Sequence, residues 1–343
     1  LVDGLRYTND VKKEVKKLLG IDEDKKISQL SVTQMKNARE KKSKGGSEIA
    51  VYYAYGEIVD SPITGITSLC AAQSVGNDMC NDLAKLTADD NVKAVVLRIN
   101  SPGGSAYASE QICPAVEELK AKKPVLVSMG DYAASGGYYI SCKANWIVAQ
   151  PTTLTGSIGI FGVIPEASEL FNDKLRLKFD EVKTNKHTTM MSSVYGFLSR
   201  PMDAEETALM QKYINRGYSL FRKRVAEGRK RTTEQVEEVA QGRVWLGSDA
   251  LGIKLVDQLG NLHDAVAKAA KLAKTDDYYT AEYPEGKDLM QQILATAEKG
   301  GDNYLDERMR SLLGEWYLPF ASAKAATQQS HIRAAMPYLL NIR

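Results

Sequence analysis

A serine set among small residues, in Gly130-Asp131-Tyr132-Ala133-Ala134-Ser135-Gly136-Gly137-Tyr138-Tyr139, is where nucleophilic chemistry is easiest to build in this sequence. It follows the apolar run Pro124-Val125-Leu126-Val127-Ser128-Met129 and leads into a segment able to start a helix. Small neighbours let a substrate backbone approach closely, and a helix start presents unpaired N–H groups and a positive dipole end. A hydroxyl there has the surroundings of a nucleophile beside an oxyanion site. The same residues also suit a tight strand-to-helix turn with no chemistry, because such elbows are common in α/β domains. A second loop, Asn100-Ser101-Pro102-Gly103-Gly104-Ser105, follows another apolar run. In a parallel sheet both loops lie at carboxyl ends of strands, where ligand sites collect. Backbone N–H groups of Gly104 and Gly136 can then converge on one oxygen beside the Ser135 hydroxyl. Glycine at 104 leaves room for a scissile carbonyl. Each such donor is worth on the order of 3 kcal/mol to an acyl-transfer transition state.

The elements that must position these loops are read from periodicity. Residues 49–59 form a strand rich in β-branched and aromatic side chains, and 71–86 a helix. Residues 94–99 are nearly all apolar, as in a strand covered on both faces. A helix over 107–120 and a strand over 124–129 follow, and Trp146-Ile147-Val148-Ala149 is a further strand. Residues 151–159 form a Gly/Thr-rich loop, 177–182 a strand, 204–229 a long helix, and 233–240 and 248–251 shorter helices. This alternation predicts an α/β fold of repeated βαβ turns. Residues 48–275 form the serine-bearing domain, and 276–343, which lose clear periodicity, are expected to be a helical extension. Residues 1–20 echo a later segment. Leu1-Val2-Asp3-Gly4-Leu5 matches Leu255-Val256-Asp257-Gln258-Leu259, and Asp3 to Asp10 has the spacing of Asp257 to Asp264. An internal repeat explains the match, so the chain is expected to begin in the tail of a preceding homologous repeat. Lys-rich residues 21–47 read as a solvated connector.

Bulk properties restrict partners more than chemistry. A net charge of +2 over 343 residues is too weakly basic to suggest a nucleic-acid partner. No apolar run reaches the roughly 18 residues a transmembrane helix requires. Leu1 in place of Met suggests a fragment or processed product, so the lack of a leader says little about compartment. Cys70, Cys80, Cys113 and Cys142 have neither CxxC spacing nor neighbouring histidines. Buried free thiols are expected, with no metal and no cofactor.

The two Gly-rich loops, together with Leu154-Thr155-Gly156-Ser157-Ile158-Gly159, Gly242-Arg243-Val244-Trp245, Gly252 and Leu255-Val256-Asp257, resemble the signal peptide peptidase A family over residues 48–273. That resemblance implies a Ser/Lys peptidase with a Clp-protease/crotonase-like fold, a spiral of repeated ββα (βαβ) units with flanking helices. It makes Ser135 the nucleophile and Gly104 and Gly136 the oxyanion donors. The likeness is to the long two-repeat bacterial form, of which this chain matches the C-terminal half. In that form the first repeat carries the catalytic lysine. The implied substrates are cleaved signal peptides or other short hydrophobic peptides. The implied assembly is a homotetramer on the periplasmic side of the inner membrane, anchored by a segment outside this chain.

A lysine base must be neutral to accept a proton, so its pKa has to fall from about 10.4 towards 7–8. In single-repeat relatives the lysine lies near positions 183–188, where the best register places Thr188. Lys183 and Lys186 are the fallback bases, in a polar Thr-Asn-Lys-His-Thr setting. The Ser-His-Asp alternative of Clp protease needs a histidine near 158–162, where there is none, and His187 reads as a surface-loop residue. Ser101 is expected to stabilise its own turn and Ser157 to cap or line the cleft. Two other functions fit parts of the pattern. One is a crotonase-like acyl-thioester enzyme, for which Asp131 is the sole carboxylate in either loop. The other is a non-catalytic assembly fragment.

Overall fold

The computed structural model describes residues 15–22, 25, 27, 46–60, 74–76, 78–180, 182–190, 200–284 and the backbone of 332–335. The chain divides into two units, Leu1–Gly45 and Gly46–Arg343. The Leu1–Leu5 echo and most of the connector lie outside the described residues.

The second unit is built on a sheet of strands β1 (Ser47–Tyr55), β4 (Val92–Ser101), β6 (Val125–Ala134), β7 (Trp146–Ala149), β8 (Leu154–Gly156), β10 (Val244–Leu246), β11 (Gln258–Leu259) and β12 (Tyr278–Tyr283). The main path runs β10-β8-β6-β4-β1-β12, with β7 beside β6 and β11 beside β7. Every pairing is parallel except that of β10 with β8. The near-continuous apolar run of β4 is explained by cover on both faces. Its Val95, Leu97 and Ile99 pack with Ile112, Val116 and Leu119 of helix α2 (Ala106–Lys122). Ala94 and Val96, on the opposite face, pack with Ala265, Val266, Ala269 and Ala270 of helix α7 (Leu262–Ala273). Helix α1 (Asp78–Ala88) adds Met79, Leu83 and Leu86 to the first core.

Strand β6 does most to position the candidate site. Its first half, Leu126 to Ser128, pairs with β7, and its second half, Tyr132 to Ala134, pairs with β8. Gly130 lies between the two halves. A Cβ there would stand 2.8 Å from Asn100 Oδ1, and that same oxygen accepts the Tyr132 N–H at 3.2 Å. The Asn100 side chain thus fills a break in the ladder where the β4–β6 register shifts. The strand continues beyond the expected end at Met129 and delivers the chain directly to Ser135.

A second, smaller sheet has the order β3-β2-β5-β13-β9, from β2 (Glu57–Ile58), β3 (Ser74–Val75), β5 (Gly103–Ser105), β9 (Phe161–Gly162) and β13 (Ile332–Ala335). The remaining helices are α3 (Gly136–Ser141), α4 (Ala204–Arg229), α5 (Thr233–Glu237) and α6 (Gly247–Gly252), and Glu169–Lys174 forms one π-helical turn. The long helix has the bounds its periodicity predicts, opened by an Asp203/Glu206 capping box.

Three expectations change. The segment expected as a strand over 177–182 has no strand partner among the described residues. It follows the π-helical turn, and Leu177 and Val182 are exposed. The Gly/Thr loop contains the short strand β8, because Thr155 and Gly156 complete the ladder on Ala133 and Ala134. Within 276–343 the described residues are strands β12 and β13, and the rest of the expected helical extension lies outside the described residues. Cys113 and Cys142 are buried free thiols and Cys80 is a half-buried one; Cys70 lies outside the described residues.

Candidate active site

Ser135 lies one residue past β6 and immediately before α3, with φ 52° and ψ −113°. For a residue with a Cβ this is a sparsely populated conformation, typically worth about 1–3 kcal/mol of strain. The backbone is held on both sides: Ser135 N donates to Gly156 O at 2.8 Å, and Ser135 O accepts from Tyr139 N at 2.8 Å. The side chain does not cap the helix it precedes. Its Oγ is buried and has no hydrogen-bond partner among the described residues. A buried hydroxyl without a partner is destabilising by about 1–3 kcal/mol. Backbone strain and an orphaned hydroxyl at one residue are unfavourable for a plain turn and suit a nucleophile held for attack.

The two loops predicted to converge do meet. Ser101 pairs with Ala133 across the strands, and α3 packs against the first loop so tightly that a Cβ on Gly137 would lie 2.7 Å from Ser101 O. Ser101 Oγ accepts the Gly103 N–H at 3.1 Å, stabilising its own turn. Gly104 has φ 154°, and a Cβ there would lie 2.0 Å from the carbonyl oxygen of Ile58 on β2. Only glycine fits that approach. Gly136 is the first residue of α3, where helix geometry leaves the N–H without an intrahelical acceptor. Because α3 has only six residues, this local donor rather than a macrodipole is what the helix start offers. Ser105 follows Gly104 and fixes the next element: its Oγ accepts the Ala108 N–H at 3.1 Å as the cap of α2 and is hydrogen-bonded to Asp60.

The other motifs are the frame of this site. Thr155 Oγ1 donates to Ala133 O at 2.8 Å, and Thr153 Oγ1 to Gly130 O at 2.7 Å. Ser157, also at positive φ, donates its N–H to Arg243 O at 2.7 Å. Trp245 Nε1 donates to Val239 O at 2.9 Å, and its ring would meet a Cβ on Gly156 at 2.7 Å. Behind Ser135, Tyr138 OH donates to Leu255 O at 2.8 Å, while Tyr139 OH donates to Glu110 of α2 at 2.6 Å. Glu110 also pairs with Arg224 of α4. Burial raises the Tyr138 phenol above its ordinary range, and burial with the Glu110 bond does the same to Tyr139, so both remain protonated donors. Asp257 closes the frame, accepting from Ile147 N at 2.8 Å and from both Arg229 terminal nitrogens at 2.6 and 3.0 Å. The sequence carries no local sign of Glu110, Tyr139 and Arg224 acting together, because each lies on a different helix.

Lys186, Lys183, Lys143 and Lys120 are not set up as bases. Lys186 is exposed and paired with Glu205, which raises its pKa, the reverse of what proton abstraction requires. Lys183 is exposed, and Asp131 is exposed too. Thr188 closes a local turn, its Oγ1 accepting the Asn185 N–H at 3.1 Å. Lys143 is buried but held between Glu227 at 2.6 Å and Glu117 at 3.2 Å, and those hydrogen bonds outweigh desolvation and raise its pKa. Burial lowers the pKa of Lys120, but it sits 15 residues beyond the Ser105 cap, about 22 Å along α2.

His187 is placed elsewhere. Its Nε2 lies 3.2 Å from Glu205 and its Nδ1 3.5 Å from Glu206, joining 182–190 to the start of α4. His187, Asp203 and Glu206 bring one potential metal-ligand atom each within 4.8 Å of one another. The Glu206 oxygens, however, are taken by both Arg200 terminal nitrogens at 2.6 and 2.7 Å and by the Asp203 N–H at 3.0 Å. This is a helix cap. Arg200, above all, holds the buried Glu206 carboxyl down to about 2, from an ordinary 4.5. A depressed carboxyl stabilises the fold above its unfolded pKa and loses that contribution as pH falls through its folded one. We therefore expect stability to decline between about pH 4.5 and 2 by about 2 kcal/mol from this group, allowing for the partly exposed Arg200. Denaturation midpoints measured across that range should show the decline in the native chain and a flatter profile in Glu206→Gln.

Comparison with known proteins places this geometry in a family. The family model described as Peptidase family S49 matches residues 117–276, and the Clp protease model matches residues 46–150. The chain is 37% identical over 315 residues to Protease 4 of Salmonella typhi, covering 91% of this chain and 48% of that protein. It is 34% identical to the chloroplastic serine protease SPPA of Arabidopsis thaliana, covering 80% and 40%. It is 36% identical to the putative protease MJ0651 of Methanocaldococcus jannaschii, covering 70% and 75%. The chain thus spans about half the length of the first two of these relatives, and most of the third. With a Clp-protease-like α/β architecture and these relatives, the chain belongs to peptidase family S49.

Proposed function

We propose that this chain is the nucleophile-bearing part of a serine endopeptidase that degrades cleaved signal peptides or other short hydrophobic peptides. The observation that carries the reading is the Ser135 Oγ, buried and without a partner among the described residues, on a strained elbow between β6 and α3. In this mechanism Ser135 Oγ attacks the scissile carbonyl carbon and passes its proton to a neutral lysine. The carbonyl oxygen, now negative, is held by the N–H groups of Gly104 and Gly136. Collapse expels the amine, which takes the proton back, and water then hydrolyses the acyl-enzyme on Ser135.

The lysine belongs in this reading to a preceding repeat on the same precursor. The charged state of Lys186 and the acidic partners of Lys143 support placing it there. Assembly as a homo-oligomer, tetrameric by family likeness, and a periplasmic site on the bacterial inner membrane are part of the same proposal. The anchor belongs, by the same family likeness, to a segment outside this chain; no helix among the described residues is long and apolar enough to cross a membrane. The test compares peptidase activity of this chain with that of a longer protein carrying the preceding repeat. We expect activity only in the longer protein, unchanged by Lys186→Ala. Hydrolysis by this chain alone, abolished by Lys183→Ala or Lys186→Ala, would overturn the assignment of the base.

A further inference from the structure

A cleft of about 490 Å³ opens where the end of α4, the start of α5 and the end of α6 meet, and Arg229, Lys230, Arg231 and Lys254 line it. Among the described residues no carboxylate lines it. Two of the four cations have structural work. Arg229 is paired with Asp257 and donates from Nε to Lys254 O at 3.3 Å, while Arg231 donates from Nη1 to Ile253 O at 2.8 Å. Lysines near helix ends commonly answer the last carbonyls, but here arginines already hold those after α6. Lys230 and Lys254 are exposed and form no ion pair among the described residues. Both stand at positive φ, 52° and 61°, where glycine or asparagine is the usual choice. Lys120 adds to the same field. Burial first, and then neighbouring charges that include Lys230 and Arg229, lower its pKa. The cleft is remote from Ser135. Asp257, the partner of Arg229, accepts the N–H of Ile147 near the start of β7, whereas Ser135 follows the far end of the parallel strand β6.

Like charges gathered in a concave wall repel one another and focus their field on whatever enters. With Asp257 neutralising one cation, the lining keeps an excess of three positive charges. That excess suits a phosphate group, which carries about two negative charges at neutral pH and takes Lys and Arg donors as charge-assisted hydrogen bonds. Gln235, also on the wall, accepts the Thr232 N–H through Oε1 at 3.1 Å, which leaves its Nε2 as a neutral donor. A Cβ on Gly252 would meet nothing within 4 Å, so the wall is open there. The volume exceeds what a bare phosphate needs and falls within the roughly 300–1,000 Å³ of small-molecule sites, so a group attached to the phosphate can enter with it. We propose that this cleft binds the phosphate group of a small ligand or lipid headgroup, held by Lys230, Lys254 and Arg231 with Gln235 as a neutral donor. The site is separate from the peptidase reading of Ser135 and does not depend on it.

The test titrates the full chain with inorganic pyrophosphate by calorimetry in about 0.15 M salt, where weak surface attraction is screened. In parallel, sedimentation with vesicles of equimolar phosphatidylglycerol and phosphatidylcholine is measured. Lys230→Gln/Lys254→Gln removes two donors from the wall. Gly252→Glu keeps every cation and sets a carboxylate in the open part of the cleft. Lys174→Gln/Lys178→Gln removes the same charge from exposed positions after β9. Denaturation midpoints confirm which variants fold, and either folded cleft variant decides the outcome. We expect each cleft variant to weaken binding by about tenfold or more, as loss of charge-assisted hydrogen bonds predicts, and the control pair to stay within about twofold of native. Pyrophosphate binding without vesicle binding upholds the site and assigns it a soluble phosphate ligand. Vesicle binding that the cleft variants abolish upholds it and assigns a lipid headgroup. Failure of both probes to bind, binding that the cleft variants leave unchanged, or an equal loss in the control pair would overturn the proposal.

Discussion

Replacement of Ser135 by alanine should abolish peptide hydrolysis in the protein that includes the preceding repeat, lowering kcat/KM by at least 10⁴-fold, as expected when a nucleophile is removed. Folding should be unaffected or slightly improved, because the hydroxyl removed is buried and has no partner among the described residues. Ser135→Gly sharpens the prediction. At φ 52° and ψ −113° glycine escapes the steric strain that serine and alanine share. That variant should be inactive yet more stable than the native protein by about 1 kcal/mol, measured by chemical denaturation. A loss of stability in both variants would mean that the hydroxyl is structural. The strained elbow would then have no functional account.

Gly104→Ala should damage both the fold and the candidate site. The added Cβ would lie 2.0 Å from a backbone carbonyl oxygen, where no side chain can yield, and the local φ of 154° is itself unfavourable for alanine. Separation of β5 from β2 should lower stability by about 2–4 kcal/mol. Displacement of the Gly104 N–H should lower kcat by about 10²–10³-fold, the usual effect of losing one oxyanion donor. Gly252→Ala is the matched control. A Cβ there meets nothing within 4 Å, and stability and activity should stay near native. Native-like kcat in a folded Gly104→Ala protein would remove Gly104 from the oxyanion site.

The parts of this fold that were legible in the sequence are those set by local periodicity. The helix Ala204–Arg229 shows its extent in the residues themselves, and β7 and the buried run of β4 are continuous apolar segments. The candidate site was legible because a nucleophile elbow needs small residues at fixed places, and Ala133, Ala134, Gly136 and Gly137 surround Ser135. What stayed hidden depends on distant parts of the chain. Strand character at 154–156, 278–283 and 332–335 comes from edges that other elements leave open, and no local pattern reveals which edge is free. The reverse failure is 177–182, where β-prone residues form no strand among the described residues. The clamp of Tyr139 by Glu110 and Arg224 was invisible for the same reason, since it exists only once α2, α3 and α4 are packed.

The role of Ser135 as nucleophile is open to a direct test. The most direct measurement is covalent labelling of the intact protein, with its preceding repeat, by a fluorophosphonate, followed by peptide mapping of the adduct. We expect one adduct, on Ser135, absent from Ser135→Ala. Labelling at another serine, or no labelling of an active preparation, would contradict it.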